Sequence, residues 1–177
     1  MAMMPVSEAL ARLLADAAPL DAETVALVEA RGRVLADDLI ALRTQPPFAV
    51  SAMDGYAVRA ADTRNPAGPL TLVGEVAAGQ LFEAPVGPGQ AVRIFTGAPV
   101  PEGADAILIQ EDAETAGEGT IRAREAVPAG RHVRPAGLDF SEGEMLIEGG
   151  TLLDGGHLSL AAAGNHAELT VRRRPRV

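Results

Sequence analysis

Apolar positions near the start of the chain fall at helical spacing. In Ser7-Glu8-Ala9-Leu10-Ala11-Arg12-Leu13-Leu14-Ala15-Asp16, residues Leu10, Leu13 and Leu14 form one stripe, with Ser7 as cap and Pro19 as terminator. From Ala22 to Leu35 the apolar positions Val25, Val28, Val34 and Leu35 are interrupted by Gly32, which predicts a short strand, a helical turn and a second short strand extended by Asp37–Leu42. Beyond Pro46 the pattern changes to short apolar runs between turns: Leu70–Val73, Val92–Phe95, Ala106–Ile109, Thr120–Ala123, Glu144–Ile147 and Glu168–Val171. Runs of this length with Gly/Pro punctuation predict strands. A helix is predicted over Leu158–Ala163, after Gly155-Gly156. The fold class is therefore α+β, mostly β. After the last strand, Arg172-Arg173-Arg174-Pro175-Arg176-Val177 reads as a junction, because Pro175 cannot sit in a central strand and Val177 opens a further apolar run.

Composition narrows the function classes. Aromatics make up 3% of the chain, with no Trp and one Tyr, so the core rests on small aliphatics and base-stacking platforms are absent. There is no Cys, which excludes disulfides, thiolate metal sites and cysteine nucleophiles. Every basic residue is Arg, so Schiff-base chemistry and a P-loop lysine are excluded as well. A net charge of -9 opposes general nucleic-acid binding. The Arg172–Arg174 triplet is either a nucleic-acid patch or, as is commoner in an acidic protein, a solvated face. No apolar run reaches the ~18 residues of a membrane helix, and Met1-Ala2-Met3-Met4-Pro5 lacks a basic signal-peptide n-region. The expectation is a soluble, cytoplasmic protein without membrane or nucleic-acid partners.

Four segments carry candidate chemistry. In Pro46-Pro47-Phe48-Ala49-Val50-Ser51-Ala52-Met53-Asp54-Gly55-Tyr56-Ala57-Val58, Asp54 either bonds its own turn or presents a carboxylate to a divalent cation or a water. In Arg93-Ile94-Phe95-Thr96-Gly97-Ala98-Pro99, a strand runs into small residues. The Thr96 hydroxyl and the backbone N–H groups there can meet an anion, or the segment is an ordinary strand exit. Asp105 and Gln110-Glu111-Asp112 bracket a strand and suit turn bonds, with Gln110 and Glu111 able to face a site. In Gly130-Arg131-His132-Val133-Arg134-Pro135-Ala136-Gly137-Leu138-Asp139-Phe140-Ser141, Arg134 can grip an oxyanion and Asp139 can bind metal, or the two staple a loop. His132, His157 and His166 lack metal-ligand spacing and read as surface or structural.

Ser51-Ala52-Met53-Asp54-Gly55-Tyr56-Ala57-Val58-Arg59-Ala60-Ala61-Asp62 and Arg93-Ile94-Phe95-Thr96-Gly97-Ala98-Pro99, together with Pro101–Ala106, Gln110-Glu111 and Gly143 onward, resemble the signatures of the MoeA family of molybdopterin molybdenumtransferases, whose eukaryotic relatives include the gephyrin E domain. The opening Glu8-Ala9-Leu10, Glu23-Thr24-Val25 and Gly32-Arg33-Val34-Leu35 fit too, so the resemblance runs through the chain in order. It implies an enzyme that takes adenylylated molybdopterin and molybdate, hydrolyses the adenylate with Mg²⁺ and inserts molybdenum. It implies Asp54, Thr96 and Asp139 as catalytic residues, Asp54 and Asp139 as metal ligands, and Ser51, Gly97, Ala98 and Arg134 as contacts to the substrate. Ala49, Val50 and Leu138 depart from it, standing where the family often has Asp, Asn and Glu.

The resemblance further implies an N-terminal helix at 1–19, an irregular β module of 20–44 plus 142–170, an inserted β-rich module at 45–141, and the start of a pterin-binding domain at 171–177. It also implies a homodimer with a shared cleft, contact with other molybdenum cofactor enzymes, and no activity for this stretch by itself. A non-catalytic dimerisation or scaffold module of the same fold is the rival reading.

Overall fold

The computed structural model describes residues 4–64 and 68–176. The expectation for Val177, like the reading of Met1–Met3, lies outside the described residues. In chain order the elements are α1 (Val6–Leu14), β1 (Ala22–Ala26), β2 (Leu39–Ile40), β3 (Val50–Ser51), β4 (Gly55–Val58), β5 (Leu70–Val76), β6 (Gln90–Ile94), β7 (Ala106–Ile109), β8 (Ala113–Gly117), β9 (Thr120–Ala123), β10 (Val133–Arg134), β11 (Met145–Ile147), α2 (Gly155–Ala163) and β12 (Glu168–Arg172). The class is α+β and mostly β, as the pattern predicts, and each of the six apolar runs is a strand. The chain divides into one unit of residues 1–42 with 143–177 and a second of residues 43–142.

In the first unit, β1 pairs antiparallel with β12, Thr24 opposite Thr170, and β2 pairs antiparallel with β11. The segment between β1 and β2 makes a 3-10 turn at Leu27–Glu29 and then single bridges, Val34 to Leu152 and Leu35 to Val171. Leu35, Leu39, Ile147, Leu153, Leu169 and Val171 close a core of aliphatic side chains. The helix α2 starts three residues before the predicted Leu158. Asp154 accepts the His157 N–H at 3.0 Å, and His157 Nδ1 accepts the Asp154 N–H at 3.2 Å. This reciprocal cap holds Gly155-Gly156 in the first turn despite their low helix propensity. The expected Ser7 cap of α1 is absent. The helix begins at Val6 after Pro5, whose carbonyl accepts the Ala9 N–H, and Ser7 lies inside the first turn. The leucine stripe exists, but α1 buries none of its side chains among the described residues.

In the second unit, six strands form one sheet in the order β7-β4-β6-β5-β9-β8. All pairs are antiparallel except β5 with β6. Alternate residues of β4, β6 and β7 enter two cores. Ala57, Val92, Ile94 and Ile107 pack on one face with Val76, Val86 and Ala98. Val58, Ala91, Ala106 and Leu108 pack on the other with Leu70, Ile121 and Ala123. Burial on both faces explains why these strands read as continuous apolar runs rather than alternating ones. The buried members of both clusters are aliphatic, with Tyr56 packed against one core and Phe82 against the other. The tightest approach is at Gly55, where a Cβ would lie 2.2 Å from the Leu108 carbonyl oxygen. Only glycine fits there. Asp54-Gly55 is therefore the entry to β4 rather than a free hairpin tip.

Candidate functional site

Every sequence-predicted site residue lies in the second unit. Asp54 immediately precedes β4, and Thr96 follows the end of the antiparallel neighbour β6. Gly55 sits opposite Ile94, so the two residues meet at one end of the sheet. Asp54 Oδ1 accepts two hydrogen bonds from Thr96, one from its N–H and one from its hydroxyl, each 2.8 Å. The Asp54 carboxyl is held below the usual range first by the Thr96 N–H and then by the Thr96 hydroxyl. The Arg93 charge adds to this and desolvation opposes it. Both recorded bonds fall on Oδ1, and the residue is exposed. The result is an exposed carboxylate favoured in its ionised form and fixed in orientation.

The N–H groups of Thr96, Gly97 and Ala98 are all engaged. Thr96 donates to Asp54, Gly97 to the Ser51 carbonyl at 2.8 Å, and Ala98 to the Phe95 carbonyl at 2.9 Å. Gly97 makes this turn with φ of 82°, a conformation that side chains disfavour. These N–H groups shape the Asp54 loop and are not open to an anion. Ser51 does similar work. It is 1% exposed, and its hydroxyl donates to the Met53 carbonyl at 2.6 Å and accepts the Met53 N–H. Ser51 fixes the two residues that deliver Asp54.

Sequence reasoning missed Arg93. Its guanidinium lies 5.1 Å from the Tyr56 ring centroid and 4.8 Å from that of Phe95. It donates to the Gly55 carbonyl at 3.1 Å and to Gln110 Oε1 at 2.9 Å. Gln110 follows β7, so Arg93 spans the ends of β4, β6 and β7 and places a positive charge near Asp54. The signal was present: a charged residue stands inside an otherwise apolar run, opposite the chain's one Tyr.

The strand β3 pairs with β10, setting Arg134 opposite Val50 and Val133 opposite Ser51, while Val50 bridges Pro99 on its other side. Three segments thus run side by side and bring Ser51, Gly97, Ala98 and Arg134 into one strip. Arg134 Nη2 meets both Asp139 oxygens, at 3.0 and 3.3 Å, with both side chains exposed. The Asp139 loop is held by its own N–H and that of Phe140, both donating to the Gln45 carbonyl beside the cis Gln45-Pro46 peptide. The structure joins Asp54 to Thr96 and Arg134 to Asp139. Among the described residues, no three His, Asp or Glu side chains gather to hold a metal ion. Of the departing positions, Val50 is buried, its neighbour Ala49 lends its carbonyl to Val100, and Leu138 is exposed.

The remaining candidates are structural. Asp105 accepts the Ala60 N–H at 2.6 Å. His157 completes the α2 cap, and His166 Nε2 bonds the Ile40 carbonyl at 2.8 Å. Among the described residues no helix is long and apolar enough to cross a membrane.

Comparison with known proteins identifies relatives of the fold and the sequence. The sequence profile of the MoeA N-terminal region (domain I and II) matches residues 4–164. The chain is 41% identical over 158 residues to molybdopterin molybdenumtransferase 2 of Mycobacterium tuberculosis, covering 87% of this chain and 39% of that protein. It is 36% identical over 159 residues to the molybdopterin molybdenumtransferase of Haemophilus influenzae, covering 90% of this chain and 39% of the relative. Among solved structures, the crystal structure of the molybdopterin biosynthesis MoeA protein from Pyrococcus horikoshii OT3 matches with a TM-score of 0.92 and 35% identity, over 98% of this chain and 47% of that one. The chain therefore spans less than half the length of these relatives. With the family profile covering residues 4–164 and relatives of 35–41% identity along almost the whole chain, the chain belongs to the MoeA family and corresponds to its N-terminal region.

Proposed function

We propose that this chain forms the N-terminal portion of a molybdopterin molybdenumtransferase, an enzyme of molybdenum cofactor biosynthesis that acts on adenylylated molybdopterin and molybdate. The observation that carries the reading is the Asp54 carboxylate, kept ionised and aimed by two donors from Thr96 at an open end of the sheet. An exposed carboxylate suits Mg²⁺, which binds through one or two carboxylates plus substrate phosphates and retains several waters. In this reading Asp54 is one ligand, and Asp139, held by Arg134, is a second carboxylate. A bound Mg²⁺ would supply charge neutralisation at the adenylate phosphate.

The chain's own residues do the positioning. Thr96 fixes the Asp54 rotamer and keeps its proton off. Arg93 sets a fixed positive charge beside it. Arg134 has donors beyond the two contacts to Asp139 and can receive an anionic group of the substrate. In this reading the protein works as a homodimer in the cytoplasm, takes a small pterin substrate, and hands its product to other molybdenum cofactor enzymes.

Asp54→Asn in the gene in its host tests the site. The expected result is a loss of about a hundredfold or more in cofactor maturation and accumulation of adenylylated molybdopterin, in a variant that still unfolds cooperatively. Normal maturation would remove Asp54 from the mechanism. The scaffold reading draws on the exposed leucine stripe of α1. It predicts that Asp54→Asn is silent while loss of Leu10 and Leu13 abolishes assembly.

A further inference from the structure

Gly55 sets a local problem at the Asp54 site. The Leu108 carbonyl leaves no room for a Cβ there, so the residue beside the candidate carboxylate is the type with the widest backbone freedom. Thr96 restrains the Asp54 side chain, but not the peptide that follows it. Two further bonds act on the carbonyls of that stretch. The Gln110 N–H donates to the Asp54 carbonyl at 3.3 Å, and Arg93 Nη1 donates to the Gly55 carbonyl at 3.1 Å.

The two donor residues are themselves linked, since Arg93 Nη2 donates to Gln110 Oε1 at 2.9 Å. The β4–β6 register sets Arg93 opposite Tyr56, and Phe95 follows two places along, so the guanidinium lies against both rings. Flat rings against a flat guanidinium limit its tilt. The Gln110 oxygen then fixes the direction of its fork. Gln110 opens the 3-10 turn Gln110–Asp112 directly after β7, so its N–H and its side chain both start from the end of a paired strand. Its Nε2 meets Glu111 Oε1 at 3.4 Å, which sets the sense of the amide and leaves Oε1 to Arg93. Asp54, Gly55, Arg93 and Gln110 thus close a ring of bonds across the ends of β4, β6 and β7.

We propose that Gln110 is a positioning residue for Asp54: its side chain locks Arg93 onto the Gly55 carbonyl while its N–H holds the Asp54 carbonyl, and together they fix the peptide from which the carboxylate projects. The assignment rests on the transferase reading of the Asp54 site and adds to it a residue from a third strand end. Gln110 touches no substrate in this assignment and acts through Asp54. A staple that only ended β7 would carry stability and leave the turnover of folded molecules unchanged.

Variants made in the gene in its host, and purified as the enzyme, test the assignment. Q110L keeps the backbone N–H and most of the side-chain volume but removes the acceptor for Arg93. Its kcat with adenylylated molybdopterin should fall about tenfold or more, with KM within about twofold of the parent, because the carboxylate is displaced while the substrate contacts remain. Q110E restores an acceptor for Arg93 and should return kcat to within about threefold of the parent. In the chain itself, the Thr96 amide proton reports its bond to Asp54. Its resonance should shift in Q110L and move back toward the parent position in Q110E. Parent kcat in Q110L beside an inactive D54N would overturn the assignment, as would a loss in Q110L that Q110E leaves in place. Parent turnover in D54N removes the transferase reading instead. The Thr96 amide then decides the geometry, and a resonance unmoved in Q110L overturns the role of Gln110 without reference to activity.

Discussion

At the scale of single residues, Thr96 governs Asp54. Its N–H and hydroxyl both stabilise the ionised carboxylate, so the folded-state pKa lies below the ordinary 3.8. A depressed carboxyl pKa contributes stability above the unfolded-state value, and the contribution is lost as pH falls through the folded-state value. Thr96→Val removes the hydroxyl but keeps the N–H. The Asp54 carboxyl resonance, followed by carbon NMR, should then titrate at higher pH than in the parent protein while staying below 3.8. The stability gap between parent and variant should be full at neutral pH and shrink in acid. A midpoint that does not move would mean that the hydroxyl leaves the carboxylate unaffected. The partnership was invisible to spacing because the two residues are 42 positions apart and meet only through the β4–β6 register. Family resemblance grouped them without saying that they touch. Gly55 makes a second test, since its Cβ would strike backbone that cannot rotate away. Gly55→Ala should cost at least about 2 kcal/mol in urea unfolding and also displace Asp54.

Among the elements, the strands were legible and their partners were not. Val92–Phe95 and Ala106–Ile109 announce strands by composition alone, yet nothing in either run says that β4 lies between β6 and β7. The parallel β5–β6 pair was equally hidden, because register is decided by contacts between distant segments. Helix ends erred for a local reason. Asp154 and His157 form a cap in which His takes the place of the usual Glu or Gln. Burial separates the elements by what they contribute. Ile107 is fully buried in β7, and Ile107→Ala should cost about 2–5 kcal/mol. Leu13 of α1 is 79% exposed, and Leu13→Gln should shift stability by no more than about 0.5 kcal/mol. Parallel thermal melts of the two variants read this contrast. A large loss at Leu13 would show that α1 is held by contacts other than those described.

For the whole molecule, each unit has its own hydrophobic cluster, and the chain passes between units where its strands are already tied. At the boundary of the second unit, the Gln45 N–H donates to the Phe140 carbonyl at 2.9 Å, and the Glu142 N–H donates to Thr44 Oγ1 at 3.1 Å. On the first unit's side, the Gly143 N–H donates to the Ala41 carbonyl at 2.9 Å, and the Ala41 N–H donates to the Glu144 carbonyl at 2.8 Å. The ends of each unit are thus held together by their own backbone bonds, and cutting at 42/43 and 142/143 leaves both sets intact. Residues 43–142 expressed alone should fold cooperatively, because both faces of the β4, β6 and β7 strands are covered from within that segment. The excised unit should also keep the depressed Asp54 titration, since Thr96 and Arg93 travel with it. A short glycine linker joining residue 42 to residue 143 should let the first unit fold. Urea unfolding of each piece, with the Asp54 resonance followed in the excised unit, reads both outcomes. A broad, non-cooperative transition for 43–142 would mean that its sheet needs the flanking chain. The candidate site could then not be understood as the product of that unit alone.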